Sequence, residues 1–433
     1  MAATLKDFVE IIPLFWRPPF EREKIEAFQE QRLRHIIRHA YWNVPYYREL
    51  FDRAGVKPAE IRTVSDLVKI PLTSKEDIKR TPEMFLAREA KEKRLGRFLT
   101  TGSTGIPLII RRTMFEDLLF HLYRMRIIRY YGLKCRDRTA RVRGGNFKYV
   151  PRSWRFIQYL GFYRQIRLST SNHPRELARI LLKERPDAVT GYTGVLARVA
   201  VLISAEFGER LRPKFVLGSA DMMTPLTRRQ IAGAFDSPLY DNYVTQEVGL
   251  VAWECSKTGD YHVCDDGLVL EILKDGRPAA PGESGEVVAT SLLCRAMPFI
   301  RYRLADMAVK GRRVCGCGQP FSTIRALQGK QQDYIYLPHG REVYPWQVTL
   351  LIQDYGDWIQ QYQLIQEREN RVVLRIASCL SVGDCERAIL QTKVKELLGE
   401  DIEFEIQEVP EIEPGPGGKY WYQRSLVKTL YEQ

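Results

Sequence analysis

No stretch of apolar residues in this chain is long enough to cross a bilayer, so the sequence predicts no membrane span. The apolar patch at 11–16 is too short for the core of a secretory signal, and the acidic residues Asp7 and Glu10 lie just before it. These absences argue against a membrane-spanning or secreted protein. We expect the chain to be cytoplasmic.

Cysteine is scarce, with eight in 433 residues, and the eight do not follow the dense spacing of a disulfide framework. A Walker A loop is absent, because no Gly-Lys-Ser/Thr sequence follows a glycine-rich turn. No recognisable RNA- or DNA-binding motif is present either, and we expect no nucleic-acid partner.

The remaining composition, 45% hydrophobic and 27% charged, is typical of a globular protein, and the chain is long enough for two or more domains. The formal net charge is +13. Arginines recur between 94 and 167, which fits either a solvated basic face or attraction of an anionic partner such as a nucleotide, coenzyme A or an acidic glycan. They include Arg111, Arg112, Arg124, Arg126, Arg129, Arg136, Arg138, Arg141, Arg143, Arg152, Arg155, Arg164 and Arg167.

Apolar spacing predicts a helix from residue 25 that ends near Val44-Pro45, and a second, short helix that stops at Gly55. A hydroxyl cap ahead of acidic residues predicts a helix start at 73–77, and 115–131 reads as a strongly amphipathic helix.

Further along, strands at 188–190 and 214–218 alternate with helices at 195–207 and 225–235, a pattern that favours a parallel α/β sheet. Alternating strands at 268–273 and 285–290 suit a small antiparallel subdomain. From about residue 329, short strands and a helix at 385–398 predict a separate α+β unit. The predicted domains are therefore 1–328 and 329–433.

Residues 99–107 form a glycine- and hydroxyl-rich segment that ends in proline. Its glycines permit a tight turn, and its hydroxyl and N–H groups are suited to surround a polyphosphate. An ordinary surface turn has the same composition, so the segment alone does not decide between the two.

The order of motifs along nearly the whole chain resembles that of the adenylate-forming enzymes, in the branch of the phenylacetate–CoA ligases and the related capsule-biosynthesis and coenzyme F390 synthetase-like proteins. The motifs that carry this resemblance are Asn43-Val44-Pro45-Tyr46-Tyr47, the segment 71–77, the loop 100–107, Tyr243-Val244-Thr245-Gln246-Glu247, Arg301-Tyr302-Arg303-Leu304-Ala305-Asp306, Gly329-Lys330-Gln331-Gln332-Asp333 and Gly418-Lys419.

The resemblance implies a large N-terminal adenylate-forming domain with parallel sheets, followed by a small mobile C-terminal domain. It also implies ATP-binding roles for Tyr243 beside the adenine, Asp306 on the ribose hydroxyls, Thr245, Gln246 and the hinge residue Lys330. Glu247 would bind Mg²⁺ and Lys419 would act on the carboxylate and α-phosphate. The phosphates would lie against Thr100, Thr101, Gly102, Ser103, Thr104 and Gly105.

The chain departs from the family pattern at several of these positions. Val244 stands for glycine and Gln246 for threonine, which puts the adenine and phosphate contacts in doubt. Alanine for glycine at Ala305 is expected to be mild. Lys330 and Gln332 replace the arginine and first aspartate of the hinge motif, and lysine does not reproduce an arginine fork.

A structural zinc site is predicted from Cys255, His262, Cys315 and Cys317, because thiolates and imidazole are the ligands of tetrahedral Zn²⁺. Cys264 competes as the fourth ligand, and the alternative is a set of buried free cysteines beside an ordinary histidine.

Acyl-binding residues are expected after the predicted sheet strands, where crevices open. They are Tyr192, Gly218, Ser219, Asp221 and Gly249, with the Asp221 carboxylate suited to an amine or hydroxyl of the substrate. The acid itself stays open between an aryl acid, an amino acid and a uronic-acid glycan.

Three functions remain. The first is an ATP-dependent ligase that makes an acyl-CoA thioester; the second is an amide-forming synthetase that passes the adenylate to an amine; the third is a non-catalytic nucleotide- or polyanion-binding scaffold. The sequence leaves the oligomeric state open, with a homodimer as the candidate assembly.

Overall fold

The structure is a computed structural model that describes residues 21–90, 95–99, 108–144, 158–330, 334–338, 341–343, 345–352, 355, 358–378, 383–415 and 419–427. No helix in these ranges is both long and apolar enough to cross a membrane. The helices are α1 (Arg22–Asn43), α2 (Pro45–Ala54), α3 (Lys75–Arg80), α4 (Met114–Tyr130), α5 (Pro174–Glu184), α6 (Thr193–Ala205), α7 (Pro225–Ala234), α8 (Pro345–Ile352) and α9 (Asp384–Leu398).

The strands fall in the same order along the chain as they are numbered here. They are β1 (Gly96–Leu99), β2 (Ile109–Arg112), β3 (Thr139–Arg143), β4 (Gln165–Ser169), β5 (Ala188–Tyr192), β6 (Phe215–Ser219), β7 (Leu239–Thr245), β8 (Gly249–Glu254), β9 (Tyr261–Val263), β10 (Leu268–Lys274), β11 (Arg277–Pro278), β12 (Ser284–Ser291), β13 (Tyr302–Lys310), β14 (Thr323–Lys330), β15 (Ile335–Tyr336), β16 (Glu342–Val343), β17 (Ile359–Arg368), β18 (Arg371–Ser378), β19 (Glu403–Glu408) and β20 (Gln423–Ser425).

Two compact units make up the chain, and each takes two stretches of sequence. Unit 1 comprises Met1–Leu133 and Tyr240–Leu327, and unit 2 comprises Lys134–Leu239 and Gln328–Gln433. The division of the chain into domains 1–328 and 329–433 stays a prediction.

The helices at the start of unit 1 follow the signals in the sequence. Val44, held in an extended conformation before Pro45, ends α1 and opens α2. Gly55 ends α2 with a left-handed φ of 65°, which glycine adopts without strain. The Ser74 hydroxyl accepts from the Asp77 N–H to cap α3. These predictions are confirmed.

The larger set of strands in unit 1 has the order β11-β10-β12-β13-β14-β9-β8-β7, and most of its neighbouring strands pair antiparallel. The predicted pairing of β10 with β12 is confirmed, with Leu268 opposite Ser291 and Leu273 opposite Glu286. The antiparallel region extends well beyond those two strands, because β7, β8, β9 and β13 join it.

The first stretch of unit 2 confirms the predicted parallel α/β pattern. Its strands run in the order β6-β5-β3-β4, all parallel. The side chains of β5 and β6 are almost entirely buried, as expected for strands covered by helices on both faces. The core between these strands and α6 includes Val195, Val199 and Ile203 of the helix.

The second stretch of unit 2 is a sheet in the order β19-β18-β17-β20 with helix α9. Strand β17 has no counterpart among the predictions, because polar glutamines interrupt its apolar pattern. Their amides bond to backbone: Gln361 to Ile412 and Gln366, which is fully buried, to Tyr336. Hydrogen bonding thus replaces hydrophobic alternation in this strand.

Candidate active site

A tight hairpin turn in unit 1 carries Glu247. Thr245 ends β7, and its hydroxyl accepts the Val248 N–H at 3.2 Å, while Gly249 opens β8 with a φ of 80°. A Cβ at Gly249 would lie 2.9 Å from the Phe120 ring, so both backbone angle and packing require glycine here. This geometry gives Gly249 a backbone role in setting the turn.

The Arg112 side chain contacts this turn, a structural role that the sequence does not predict. Its guanidinium donates to the Gln246 carbonyl oxygen at 2.5 Å and to Asp117 at 3.2 Å. It lies over the Phe98 and Phe120 rings, 3.9 and 4.4 Å from their centroids. Nothing in the sequence distinguishes this buried arginine from its neighbours in the basic stretch.

Tyr243 and Asp306 come together from β7 and β13. The Tyr243 hydroxyl donates to Asp306 Oδ2 at 2.5 Å. Burial, followed by the charges of Asp306 and Glu247, raises the pKa of Tyr243 well above its usual range, so the phenol stays a donor. The Asp306 carboxylate keeps further lone pairs for other donors, since each of its oxygens accepts two bonds.

Two departures from the family motifs have structural outcomes. Ala305, directly before Asp306, has a φ of 57°, a left-handed conformation that glycine adopts freely and alanine does not. The expectation that this replacement is mild therefore understates its backbone cost. Val244 lies at a β-bulge with its side chain 40% exposed, and its φ is not positive.

Several predicted ATP-binding residues have no described geometry. Thr100, Thr101, Gly102, Ser103, Thr104 and Gly105 lie outside the described residues, as does Gln332. Lys330 is the last residue of β14.

In unit 2, the predicted acyl-binding residues lie where the parallel strands end. Tyr192 ends β5, and Gly218 and Ser219 end β6. A Cβ at Gly218 would approach Thr193 Oγ1 to 2.7 Å, and the Ser219 hydroxyl donates to the Gly191 carbonyl at 3.2 Å. The strand ends therefore meet at one edge of this sheet.

Asp221 follows this edge and lies next to Lys419 in the same unit. Its Oδ2 accepts the Gly194 N–H at 3.2 Å, and its buried Oδ1 has no hydrogen-bond partner among the described atoms. Burial raises the pKa of Asp221 to about 7, against the opposing effects of the Lys419 charge and of the Gly194 and Tyr420 amides. A buried carboxyl with a pKa near 7 beside a lysine is an arrangement common in functional sites.

The four predicted zinc ligands converge in unit 1. The Sγ atoms of Cys255, Cys315 and Cys317 and a ring nitrogen of His262 lie within 4.8 Å of one another. Cys317 Sγ lies 3.3 Å from His262 Nε2, and His262 Nδ1 is buried without a hydrogen-bond partner among the described atoms. Three thiols and one imidazole at this spacing fit a tetrahedral metal site.

Cys264 does not belong to this cluster. Its Sγ lies 3.5 Å from both the Arg126 guanidinium and the Asp266 carboxylate, and Arg126 forms a buried ion pair with Asp266. The competing choice of Cys264 as a ligand is therefore not supported. The basic stretch is also partly internal, because Arg112 and Arg126 are both buried.

The chain is similar to known proteins in sequence and in fold. Residues 335–425 match the family described as the CapK C-terminal domain. The chain is 27% identical over 365 residues to the phenylacetate-coenzyme A ligase of Escherichia coli strain K12, covering 81% of each chain. It is 22% identical over 425 residues to Protein CapK of Staphylococcus aureus, covering 92% of this chain and 89% of CapK.

A similar fold occurs in the crystal structure of 2-hydroxyisobutyryl-CoA ligase in the postadenylation state in complex with R3-HIB-AMP. The TM-score is 0.77 with 16% identity, and the match covers 94% of this chain and 90% of that chain. The ligase and CapK relationships span most of the sequence and agree with the motifs and with the α/β architecture. Over most of its length the chain is therefore similar to the phenylacetate–CoA ligases and to CapK, and residues 335–425 match the CapK C-terminal domain.

Proposed function

We propose that the chain is an ATP-dependent, AMP-forming ligase that activates a carboxylic acid and transfers the acyl group to coenzyme A. A carboxylate oxygen attacks the α-phosphorus of ATP and pyrophosphate leaves; the thiol of coenzyme A then attacks the acyl carbon and AMP leaves. The hydrogen-bonded pair of Tyr243 and Asp306 carries the proposal, because it joins two motif side chains of this family in one place.

In this proposal Asp306 accepts hydrogen bonds from the ribose hydroxyls, and Tyr243 fixes the orientation of that carboxylate. Glu247 would hold Mg²⁺, a hard cation that prefers carboxylate oxygens. Burial raises the pKa values of Tyr243 and Tyr302 most, and the negative charges of Glu247 and Asp306 raise them further. Both carboxylates therefore lie in the same region of unit 1, which supports a place for a cation there. The hydroxyl-rich loop 100–105 and Lys330 would add phosphate contacts.

Lys419 would neutralise charge that develops between the carboxylate and the α-phosphate, a task suited to a point charge on a flexible stem. Asp221, Tyr192, Gly218 and Ser219 would border the acyl group. Phenylacetate and 2-hydroxyisobutyrate are the first acids to test, because ligases related to this chain by sequence or by fold carry those names.

Cys255, His262, Cys315 and Cys317 would hold a structural Zn²⁺. All four positions are protein ligands, so such a site keeps no open coordination position for catalysis. Its contribution would be to connect β8 and β9 with the segment before β14.

The test is pyrophosphate release by the purified protein with ATP, Mg²⁺ and a panel of carboxylic acids, with and without coenzyme A. We expect acid-dependent release and thioester formation with coenzyme A. Turnover that requires an added amine instead would replace the thioester proposal by amide formation, and no ATP-dependent reaction with any acid would favour the scaffold. Asp306→Asn is expected to weaken ATP binding, while Asp236→Asn, at an exposed ion pair of unit 2 with Arg212, serves as the control.

A further inference from the structure

Tyr420, next to Lys419, is anchored in a notch on helix α6. Its ring is 9% exposed and packs into the core formed by α6 and the parallel strands. The notch exists because residue 194 is glycine: a Cβ there would lie 2.3 Å from Tyr420 Cδ2. The residue after the lysine is thus seated against the first turn of α6.

Arg198, one turn further along α6, grips the same segment at two points. Its guanidinium donates to the Tyr420 hydroxyl at 2.6 Å and forms an ion pair with Glu411. Glu411 and Tyr420 stand on either side of the proline- and glycine-rich segment that precedes Lys419. The Arg198 side chain therefore contacts both ends of the segment 411–420, which we call the lysine loop.

One further contact involves the backbone of Lys419, and another involves Asp221 near its side chain. The Gly415 N–H donates to the Lys419 carbonyl at 2.7 Å, which closes the loop on itself. The Gly194 N–H donates to Asp221, whose carboxyl is near enough to Lys419 for the lysine charge to affect its pKa. The same helix start therefore organises Tyr420, Asp221 and the surroundings of the lysine.

We propose that Arg198 is a positioning residue for Lys419: by clamping Glu411 and Tyr420, it keeps the lysine loop docked on α6 for the adenylation step. The inference rests on the proposed role of Lys419. The long side chain of a lysine loses rotational freedom when it is placed at a reacting group, and anchors formed in advance on the neighbouring backbone reduce that cost. Arg198 itself touches no substrate in this account.

The test compares the two half-reactions in Arg198→Met and Gly194→Ala. Arg198→Met keeps the aliphatic stem and removes the clamp, whereas Gly194→Ala leaves Arg198 in place and fills the notch. Alanine is also the better helix former, so loss of α6 is not expected. Arg185→Met is the matched control, since it removes an exposed ion pair to Glu209 in the same unit.

Adenylation is measured as pyrophosphate release, and thioester formation as the reaction of synthetic acyl-adenylate with coenzyme A. We expect both variants to lower the adenylation rate about 10-fold or more, as misplaced catalytic groups do, and to leave the second rate within about 2-fold of wild type. Hydrogen exchange of the backbone around 411–422 should become faster in both variants and stay unchanged in Arg185→Met.

Equal losses in both half-reactions, or unaltered adenylation, would overturn the positioning role. Unchanged hydrogen exchange in Arg198→Met would overturn the clamp itself. If wild-type protein forms no acyl-adenylate, the proposed function fails, and the exchange measurement still decides whether Arg198 docks the loop.

Discussion

Ala305 carries a methyl group at a backbone angle that disfavours any β-carbon. Its φ of 57° lies in the left-handed region, directly before the carboxylate of Asp306. Such backbone strain next to the carboxylate of a family motif persists only where the surrounding structure enforces it. Ala305 lies at an irregularity of the β12–β13 pair, and the paired residues on either side of it, Arg303 and Met307, hold the chain in place.

Ala305→Gly is expected to raise the free energy of unfolding by about 1 kcal/mol, because glycine removes the left-handed penalty. The measurement is chemical denaturation with purified protein. Ala308→Gly is the control in the same strand: its side chain is fully buried and its φ is not positive, so glycine should destabilise there. Destabilisation of similar size in both variants would contradict the strain argument.

Asp221 gives a pH-dependent prediction. With a pKa of about 7 in the folded chain against 3.8 ordinarily, folded protein holds a proton that unfolded protein loses between these values. The stability that the protonated Asp221 carboxyl gives to the folded protein is complete below about pH 4. It declines by about 1.4 kcal/mol per pH unit until the pH passes 7. Asp221→Asn lacks this decline.

The melting temperature of Asp221→Asn should therefore rise relative to wild type between pH 5 and pH 7, and hold that difference above pH 8. Differential scanning calorimetry across this range measures it. Asp236→Asn, at an exposed ion pair of the same unit, is the control substitution. If the melting temperatures of Asp221→Asn and wild type changed with pH by the same amount, the pKa of Asp221 would not be raised.

Motif residues such as Tyr243 and Asp306 could be identified from the sequence, because their chemical types and order are specific. Arg112 could not, since its role depends on two aromatic rings and a carbonyl that only folding brings together. The left-handed angle at Ala305 was likewise invisible, because alanine itself signals no such conformation.

At the level of elements, the cluster of Cys255, His262, Cys315 and Cys317 links the turn after β8, strand β9 and the segment before β14. The region between these strands is rich in turns, and His262 lies opposite Thr323 in the β9–β14 pair. A metal bound there would replace a larger hydrophobic core as the source of local stability.

We expect purified protein to contain about one zinc ion per chain, and Cys317→Ser to lose it together with several degrees of melting temperature. Elemental analysis and thermal unfolding, with and without a strong chelator, measure both effects. Cys135→Ser, at an exposed cysteine outside the cluster, should change neither. Full stability of a demonstrably zinc-free wild type would remove the structural role.

Strands and helices with clear apolar periodicity were predictable, as α6, β6 and α9 illustrate. Strand β17 was not, because four glutamines interrupt the alternation of apolar residues along it, among them Gln361, Gln363 and Gln366. Their amides satisfy backbone groups of other segments, for example Gln363 with Trp421. Hydrogen bonds between residues that are distant in the sequence leave no local pattern of apolar residues from which a strand could be predicted.

At the scale of the whole molecule, nucleotide binding should stabilise the folded state. A ligand that binds only folded protein adds about 2.7 kcal/mol at 100 times its dissociation constant. We expect ATP with Mg²⁺, and AMP, to raise the melting temperature of wild type, and Asp306→Asn to abolish most of this increase. A thermal shift assay measures it, and an identical increase in the variant would exclude Asp306 from the nucleotide site.

Unit 2 is built from two separate stretches of the chain, so its core is completed only when the last stretch has been synthesised. The core built from residues such as Val142, Val189 and Val216 receives Tyr420 as one of its members. A nascent chain released before that tyrosine would leave an unfilled notch at Gly194 and would also lack the adjoining lysine. Premature termination near the carboxyl end therefore yields an incompletely packed polypeptide that also lacks the lysine proposed to act in adenylation.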